Sequence, residues 1–506
     1  MPRLFYGALI TPSSLTEYFA SPRALLCVLD TGMIAWVVDD VPPSELQNEL
    51  ARHGLLDDPN VDIVELKTGE FLMPGFVDTH THAPQVPNLG SGQQHELLDW
   101  LSEVTFPMEA RFSDLSFART AYETAVRRII DCGTTTCCYY GTLHLEATKV
   151  LADIVHSHGQ RAFVGKCNMN RECPDYYIEP SAEDSLSATR SLISHIRSLP
   201  PSCPPNVPPL VQPILTPRFA ISCTPDLLSS LGELARSDPN LAIQTHISEN
   251  PSEVAYTKTL FPKETLPPPP YAASAVSQKA RGTYAGVYDA YELLRHNTIL
   301  AHGVHLEEAE MELIKARKAG VSHCPTSNFN LSSGCAKIGE LLDKEIKVGL
   351  GTDVSGGFAP SILRAVQDAS ICSKVVAMSA PDKPTRGFAN RQLPIATLLY
   401  LATLGGAHVC GLERAIGKLS PEYAFDALVV SVRTDAGNPA VWGADLDAKV
   451  HVGASGGEFG REGGRGKTET EELEGMLERF LFCGDDRNIR RVYVQGRLVG
   501  GKEYKM

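Results

Sequence analysis

Two histidines two residues apart close an apolar run early in the chain: Pro74-Gly75-Phe76-Val77-Asp78-Thr79-His80-Thr81-His82. Side chains along a strand alternate faces, so His80 and His82 point the same way. Paired imidazoles at a strand end serve structure poorly and a metal ion well. Such a pair needs further ligands and a general base from elsewhere. Three later segments offer them: Gln244-Thr245-His246-Ile247-Ser248-Glu249, Ala301-His302-Gly303 and Gly349-Leu350-Gly351-Thr352-Asp353. His80, His82, His246 and Asp353 together make a shell of three nitrogens and one carboxylate. Zn²⁺ suits those donors, with water completing an open site, and Fe²⁺ uses the same ligand types.

Bulk water is a weak nucleophile near neutrality. A divalent metal lowers its pKa to about 7, and a carboxylate must then take the proton and return it to the leaving group. Glu249 follows His246 by three residues on the loop leaving the same strand, a place suited to a proton shuttle. His302 is expected to hydrogen-bond the nucleophile or the tetrahedral intermediate. Asp78 faces the side of His80 and His82 but lies deeper, so it reads as a buried polar support. Cys324, beside His323, reads as a buried thiol next to a structural histidine.

The elements that must position these groups are visible in the texture of the chain. Eight apolar, β-rich runs alternate with helical segments: residues 75–80, 133–139, 161–166, 210–216, 241–247, 298–303, 321–325 and 347–352. Near-continuous apolar strands separated by helices indicate a buried parallel sheet. Eight of them fit an α/β fold of the (β/α)₈ barrel type, whose chemistry sits at the C-terminal strand ends. The histidines and carboxylates fall at those ends. Short strand-like runs before residue 70 and after residue 420 imply a small discontinuous β-sandwich built from both ends of the chain. The expected division is residues 1–73 and 419–506 for the sandwich and 74–418 for the barrel. Residues 198–209, 266–282 and 453–468, rich in Pro or in Gly and charge, read as loop insertions.

Bulk properties narrow the partners. A net charge of −14 disfavours nucleic-acid backbones and anionic lipid, leaving a small neutral substrate as the expectation. Thirteen scattered cysteines without a C-x-x-C pair read as reduced thiols. No apolar run reaches membrane-spanning length, and the first residues lack a signal-peptide pattern, so a cytosolic protein is expected. His144-Leu145-Glu146 and His305-Leu306-Glu307 copy the H-x-E of cytidine-type zinc deaminases, but the P-C-x-x-C those enzymes need is missing. Lys166, ending the third run, is the one lysine placed where a second metal would need a bridging ligand. Gly466-Lys467-Thr468 resembles the end of a phosphate loop, without its first glycine or a leading strand.

Several stretches carry a resemblance. They include Pro74 to Gln85, Thr216-Pro217-Arg218-Phe219, His246-Ile247-Ser248-Glu249-Asn250, Ala301-His302-Gly303, His323-Cys324-Pro325-Thr326-Ser327-Asn328 and Gly349-Leu350-Gly351-Thr352-Asp353-Val354. Further ones are Trp100-Leu101 with Thr105-Phe106-Pro107, and Gly484-Asp485-Asp486-Arg487-Asn488-Ile489. The sequence resembles the amidohydrolase superfamily and, more closely, its guanine deaminase family. H-x-H with a distant Asp marks the superfamily; Gln85, Arg218-Phe219 and His-Ile-Ser-Glu narrow it. The resemblance implies one Zn²⁺ per subunit held by His80, His82, His246 and Asp353. It implies hydrolysis of guanine at C2 to xanthine and ammonia, with Glu249 and Asp353 moving protons and His302 assisting. Gln85, Arg218 and Phe219 would hold the purine, Arg218 donating to O6; His246, Glu249, His302 and Asp353 would also face it. It implies a homodimer. A related aminohydrolase acting on another amino-heterocycle, and a metal-free binding module, are the competing readings.

Overall fold

The computed structural model describes residues 2–56, 61–205, 207–268, 274–380, 387–446 and 467–505. Eight parallel strands form its centre: Phe76–His82, Thr134–Tyr140, Arg161–Gly165, Val211–Pro217, Ala242–Ile247, Thr298–His302, Gly320–His323 and Lys347–Leu350. Each pairs with the next in sequence, as the eight apolar runs require. A short strand, Cys167–Asn168, extends the third position alongside Thr216 and Pro217. The first and eighth positions are joined just past the last strand. The Asp353 amide donates to the His80 carbonyl at 2.8 Å, and the His82 amide to the Val354 carbonyl at 3.2 Å. Thr79 Oγ1 donates to the Leu350 carbonyl at 2.8 Å. The ring thus closes where the two ends of the H-x-H and Gly-Thr-Asp motifs meet.

Helices cover the outside, and their ends carry local instructions. Asp114 caps helix Leu115–Asp131 through the amides of Ser116 and Phe117. Asn250 and Glu253 form a capping box on helix Pro251–Leu260, with Pro at its first position. That box also matters for the site, because Glu253 reaches back to the loop that carries Glu249.

Both chain ends meet in a second, eight-stranded sheet. Its order is Arg497–Gly500, Ile489–Val494, Ala427–Ser431, Glu70–Pro74, Arg3–Pro12, Tyr18–Val28 and Ile34–Val38, with Asp62–Glu65 also paired to Arg3–Pro12. Most neighbours are antiparallel, but Arg3–Pro12 runs parallel to both Asp62–Glu65 and Glu70–Pro74. The sheet curls on itself. Phe5 and Tyr493 sit three strands apart in hydrogen-bonding order, yet their ring centroids are 5.4 Å apart, with Phe425 4.5 Å from Phe5. Flat strands that far apart would be separated by roughly 14 Å. The last two strands form a hairpin, turned at Gln495 and Gly496, both with positive φ (48° and 72°).

Two insertions hold more structure than their composition suggests. Within 266–282 the described part includes helix Ala275–Ala280; residues 269–273 lie outside the described residues. Residues 453–466 likewise lie outside them, but Thr468 is the N-cap of helix Glu469–Cys483. Its Phe480 packs against Phe71 and Phe76, binding it to the junction of the two sheets. Lys467 and Thr468 therefore begin an acidic helix rather than a phosphate loop. Every cysteine is free. Among the described residues no helix is long and apolar enough to cross a membrane.

Candidate active site

The strand ends converge as the spacing requires. His80 Nε2 lies 3.0 Å from Asp353 Oδ1, and His82 Nε2 lies 3.5 Å from the same oxygen. His82 Nε2 and His246 Nε2 are 3.2 Å apart. One ligand atom each from His80, His246, His302 and Asp353 falls within 4.8 Å of the others. All four residues expected to bind metal are thus gathered, with His302 beside them. All are buried except His246, which is slightly exposed.

Backbone geometry aims these groups. His302 and Asp353 adopt left-handed φ values of 76° and 43°, as does Ser248 at 48°. Non-glycine residues held there carry strain of about 1–3 kcal/mol each. The strain falls where each strand leaves the barrel and its side chain must turn inward. Asp78 sits beneath, accepting from the His80 and Thr352 amides, both at 3.1 Å, and from Thr352 Oγ1 at 2.6 Å. It braces both ends of the ligand set and is not itself at the cluster. Burial pushes its pKa up to about 6, against the pull of those hydrogen bonds.

The donor set fits a cation. His246 Nδ1 lies 2.5 Å from the Arg218 carbonyl oxygen, which can only accept, so Nδ1 carries the proton and Nε2 keeps its lone pair. Both ring nitrogens of His80, Nδ1 of His82 and Nε2 of His302 are buried without a hydrogen-bond partner. Each unsatisfied buried group costs about 1–3 kcal/mol; a cation would relieve that cost at the one nitrogen per ring that faces the cluster, such as His80 Nε2. The 3.0, 3.2 and 3.5 Å separations match the ligand–ligand edges of about 3.3 Å around a tetrahedral ion with 2.0–2.1 Å bonds. Burial, and then the neighbouring His80, hold His82 and His246 well below the usual histidine range. Neutral imidazoles are the ligating form.

The two carboxylates are driven apart. Burial, then Asp353 and Glu253, push Glu249 well above the usual carboxylate range. Burial acts on Asp353 in the same sense, but His80, His302 and His82 outweigh it and hold Asp353 well below. A proton-carrying carboxyl beside an ionised one is the pattern of paired acid–base groups. Glu249 Oε2 lies 3.3 Å from His302 Nε2, and Oε1 accepts from Ser333 at 3.3 Å. Its amide donates to Glu253 at 2.8 Å, so the capping box pins the loop that carries it. His302 Nδ1 pairs with Asn328 Oδ1 at 3.0 Å, leaving Nε2 toward Glu249.

A cleft opens onto this cluster. Gln85, Arg218, Phe219, Trp100 and Leu331 line it together with His82, His246, Glu249 and Asp353. The residues expected to hold substrate and those expected to do chemistry share one cavity. Residues 71–499 match the Amidohydrolase family. The chain belongs to that family. Within it, the chain belongs with the guanine deaminases. It is 42% identical over 502 residues to a probable guanine deaminase of Schizosaccharomyces pombe, spanning 99% of this chain and 84% of the relative. It is 36% identical over 477 residues to guanine deaminase of Homo sapiens, spanning 94% and 91%. Its fold matches the crystal structure of guanine deaminase from C. acetobutylicum with guanine bound in the active site. That match has a TM-score of 0.78 at 30% identity, covering 98% of this chain and 100% of the other.

The H-x-H, His246, His302 and Asp353 motifs meet; other features separate from them. Lys166 forms a buried ion pair with Glu179 and donates to the Cys167 carbonyl at 2.9 Å, so it is committed away from the cluster. His144 and His305 also lie outside it. His305 donates to the Ser333 carbonyl at 2.7 Å. Among the described residues Cys324 Sγ hydrogen-bonds only with Ser322, and burial lowers His323 to about 3.

Sequence reasoning missed Glu109. This fully buried carboxylate accepts from Gln85 Nε2 at 2.8 Å, Tyr177 Oη at 2.7 Å and Arg218 Nη1 at 2.7 Å. Burial disfavours the Arg218 charge, but Glu109 outweighs it and keeps the guanidinium protonated. The guanidinium also lies 5.3 Å from the centre of the Phe106 ring. The available signal was Pro107 opening the helix that carries Glu109, next to the Thr105-Phe106-Pro107 stretch.

Proposed function

We propose that this chain hydrolyses guanine at C2, releasing xanthine and ammonia, with one zinc ion held by His80, His82, His246 and Asp353. The observation that carries the reading is the shared cleft: a cation-ready imidazole–carboxylate cluster forms its floor, and Gln85, Arg218 and Phe219 form its wall. The zinc assignment rests on donor chemistry, three imidazoles and one carboxylate. When bound, the ion supplies hydroxide near neutral pH by lowering the pKa of water to about 7.

The chain's own residues do the rest. Phe219 offers an apolar face to the purine. Gln85 and Arg218 donate to acceptors on its edge, Arg218 to O6. Glu249, which carries its proton at rest, gives it to a ring nitrogen and takes up one from the attacking water. Asp353 passes the second proton to the departing amine, so one water is consumed and one ammonia leaves. His302 Nε2, held by Asn328 through Nδ1, hydrogen-bonds the developing tetrahedral centre. Burial keeps this exchange away from bulk water, where the same groups would be weaker. The family resemblance also supports a cytosolic homodimer, which light scattering of the purified protein tests.

The test of substrate is a panel of guanine, adenine, a pterin and an aminotriazine ranked by kcat/KM. Guanine leading, with stoichiometric ammonia, is the expected result. A different amino-heterocycle leading would replace guanine in this reading.

A further inference from the structure

We infer that Glu109 sets the substrate preference of the cleft, by fixing Gln85 and Arg218 as donors and by cancelling the guanidinium charge. The inference rests on the reading of the cleft as a guanine site. Glu109 stands behind the wall that Gln85 and Arg218 present, so it acts through them as a positioning residue.

The hydrogen bonds leave each partner one orientation. Gln85 gives one N–H to Glu109, and its Oε1 accepts the Ser355 amide at 2.9 Å. Turning that amide over would set its oxygen against a carboxylate and its NH₂ against an N–H. Gln85 therefore keeps its second N–H for the cleft. Arg218 spends one of its five N–H groups on Glu109, and the others remain donors, since a guanidinium has no acceptor. Tyr177 donates its hydroxyl proton to Glu109 from a third direction, so the carboxylate cannot swing away without abandoning a buried donor. The wall presents donors alone. It accepts a purine edge built of acceptors, such as O6 with a ring nitrogen, and opposes a 6-amino group.

Charge is the second consequence. A fully buried guanidinium without a counterion would favour an anionic ligand. Glu109, itself fully buried, makes the pair neutral overall. The cleft then takes the neutral purine without a bias toward anionic bases.

The test is E109Q, a near-isosteric change that removes the charge and leaves at least one of three donors without its acceptor. Wild-type turnover of guanine is measured first; its absence removes the guanine reading and this inference together. With wild type active, E109Q is expected to bind wild-type zinc and to lose roughly 30-fold or more in kcat/KM for guanine, mostly through KM. Inhibition by xanthine, measured on either side of its own ionisation, supplies a readout that a purely structural role would not move. The neutral form should weaken in E109Q while the anionic form gains relative to it by about 10-fold or more. A folded E109Q with wild-type kcat/KM, or with both forms weakened equally, overturns the inference and leaves the guanine reading intact. Should E109Q fail to fold, Y177F frees Glu109 from one donor without changing charge. A raised KM with unchanged metal content supports the inference, and an unchanged KM overturns it.

Discussion

Asp353 and His80 are joined twice. The Asp353 amide donates to the His80 carbonyl at 2.8 Å, and its Oδ1 lies 3.0 Å from His80 Nε2. The bond that closes the barrel and the contact that builds the cluster involve the same two residues. Asp353→Asn separates these roles. It keeps the main-chain bond and the volume but removes the anionic ligand. The variant should stay folded, as judged by circular dichroism, and lose zinc measured by atomic absorption. Full zinc content in a folded Asp353→Asn protein would remove Asp353 from the ligand set.

His82 and His302 should behave oppositely. His82 Nε2 lies 3.2 Å from His246 Nε2, inside the proposed ligand set, whereas His302 Nε2 points at Glu249 from 3.3 Å. His82→Ala is expected to lose metal and activity together. His302→Ala should keep metal and lose kcat. Loss of zinc on removing His302, with retention on removing His82, would exchange their roles.

Glu249→Gln tests the proton shuttle. The amide keeps the shape and can still meet Ser333, but cannot carry a proton between water and ring. Metal content should match wild type while kcat falls by about 10²–10⁴-fold, the usual worth of a positioned acid–base group. Wild-type turnover in this variant would assign the shuttle elsewhere.

The metal-free protein should be acid-sensitive. His82 and His246 have folded values well below 6.5, so below about pH 6.5 the unfolded chain binds protons that the folded one refuses. Stability therefore rises with pH across that range and is lost as pH falls. Asp353, lowered from 3.8, adds a further loss below about pH 4. Glu249, raised from 4.5, acts in reverse: its contribution is full below about pH 4.5 and fades as pH climbs through its folded value. Thermal melts of stripped protein should show Tm falling from neutral toward acid pH. A flat profile there would contradict neutral imidazoles in the folded state.

The strands and the polar residues gathered at their ends were legible in the sequence for one physical reason. Barrel strands are buried on both faces, so a polar residue closing an apolar run, such as His246 or Asp353, stands out. Glu109 did not stand out because its signal is tertiary. It sits in Leu97–Ala110, where α-helix, π-helix and α-helix follow one another without a steady period. Its partners are 24, 68 and 109 residues away. Helix Glu469–Cys483 was overlooked for the opposite reason. Its capping box, Thr468 to Glu471, was present, but the preceding Gly-rich run drew the reading toward loop. The curl of the small sheet was not legible either, since it depends on Phe5 meeting Phe425 and Tyr493 across the whole chain.

The central claim is that one ion, held by side chains remote in sequence, makes the guanine chemistry possible. The most direct measurement is ammonia release from guanine by the purified protein as prepared, after exhaustive chelation, and after zinc is restored to one equivalent per chain. Activity should vanish with the metal and return in proportion to zinc, reaching its full value near one equivalent. Undiminished turnover by the stripped protein would contradict it.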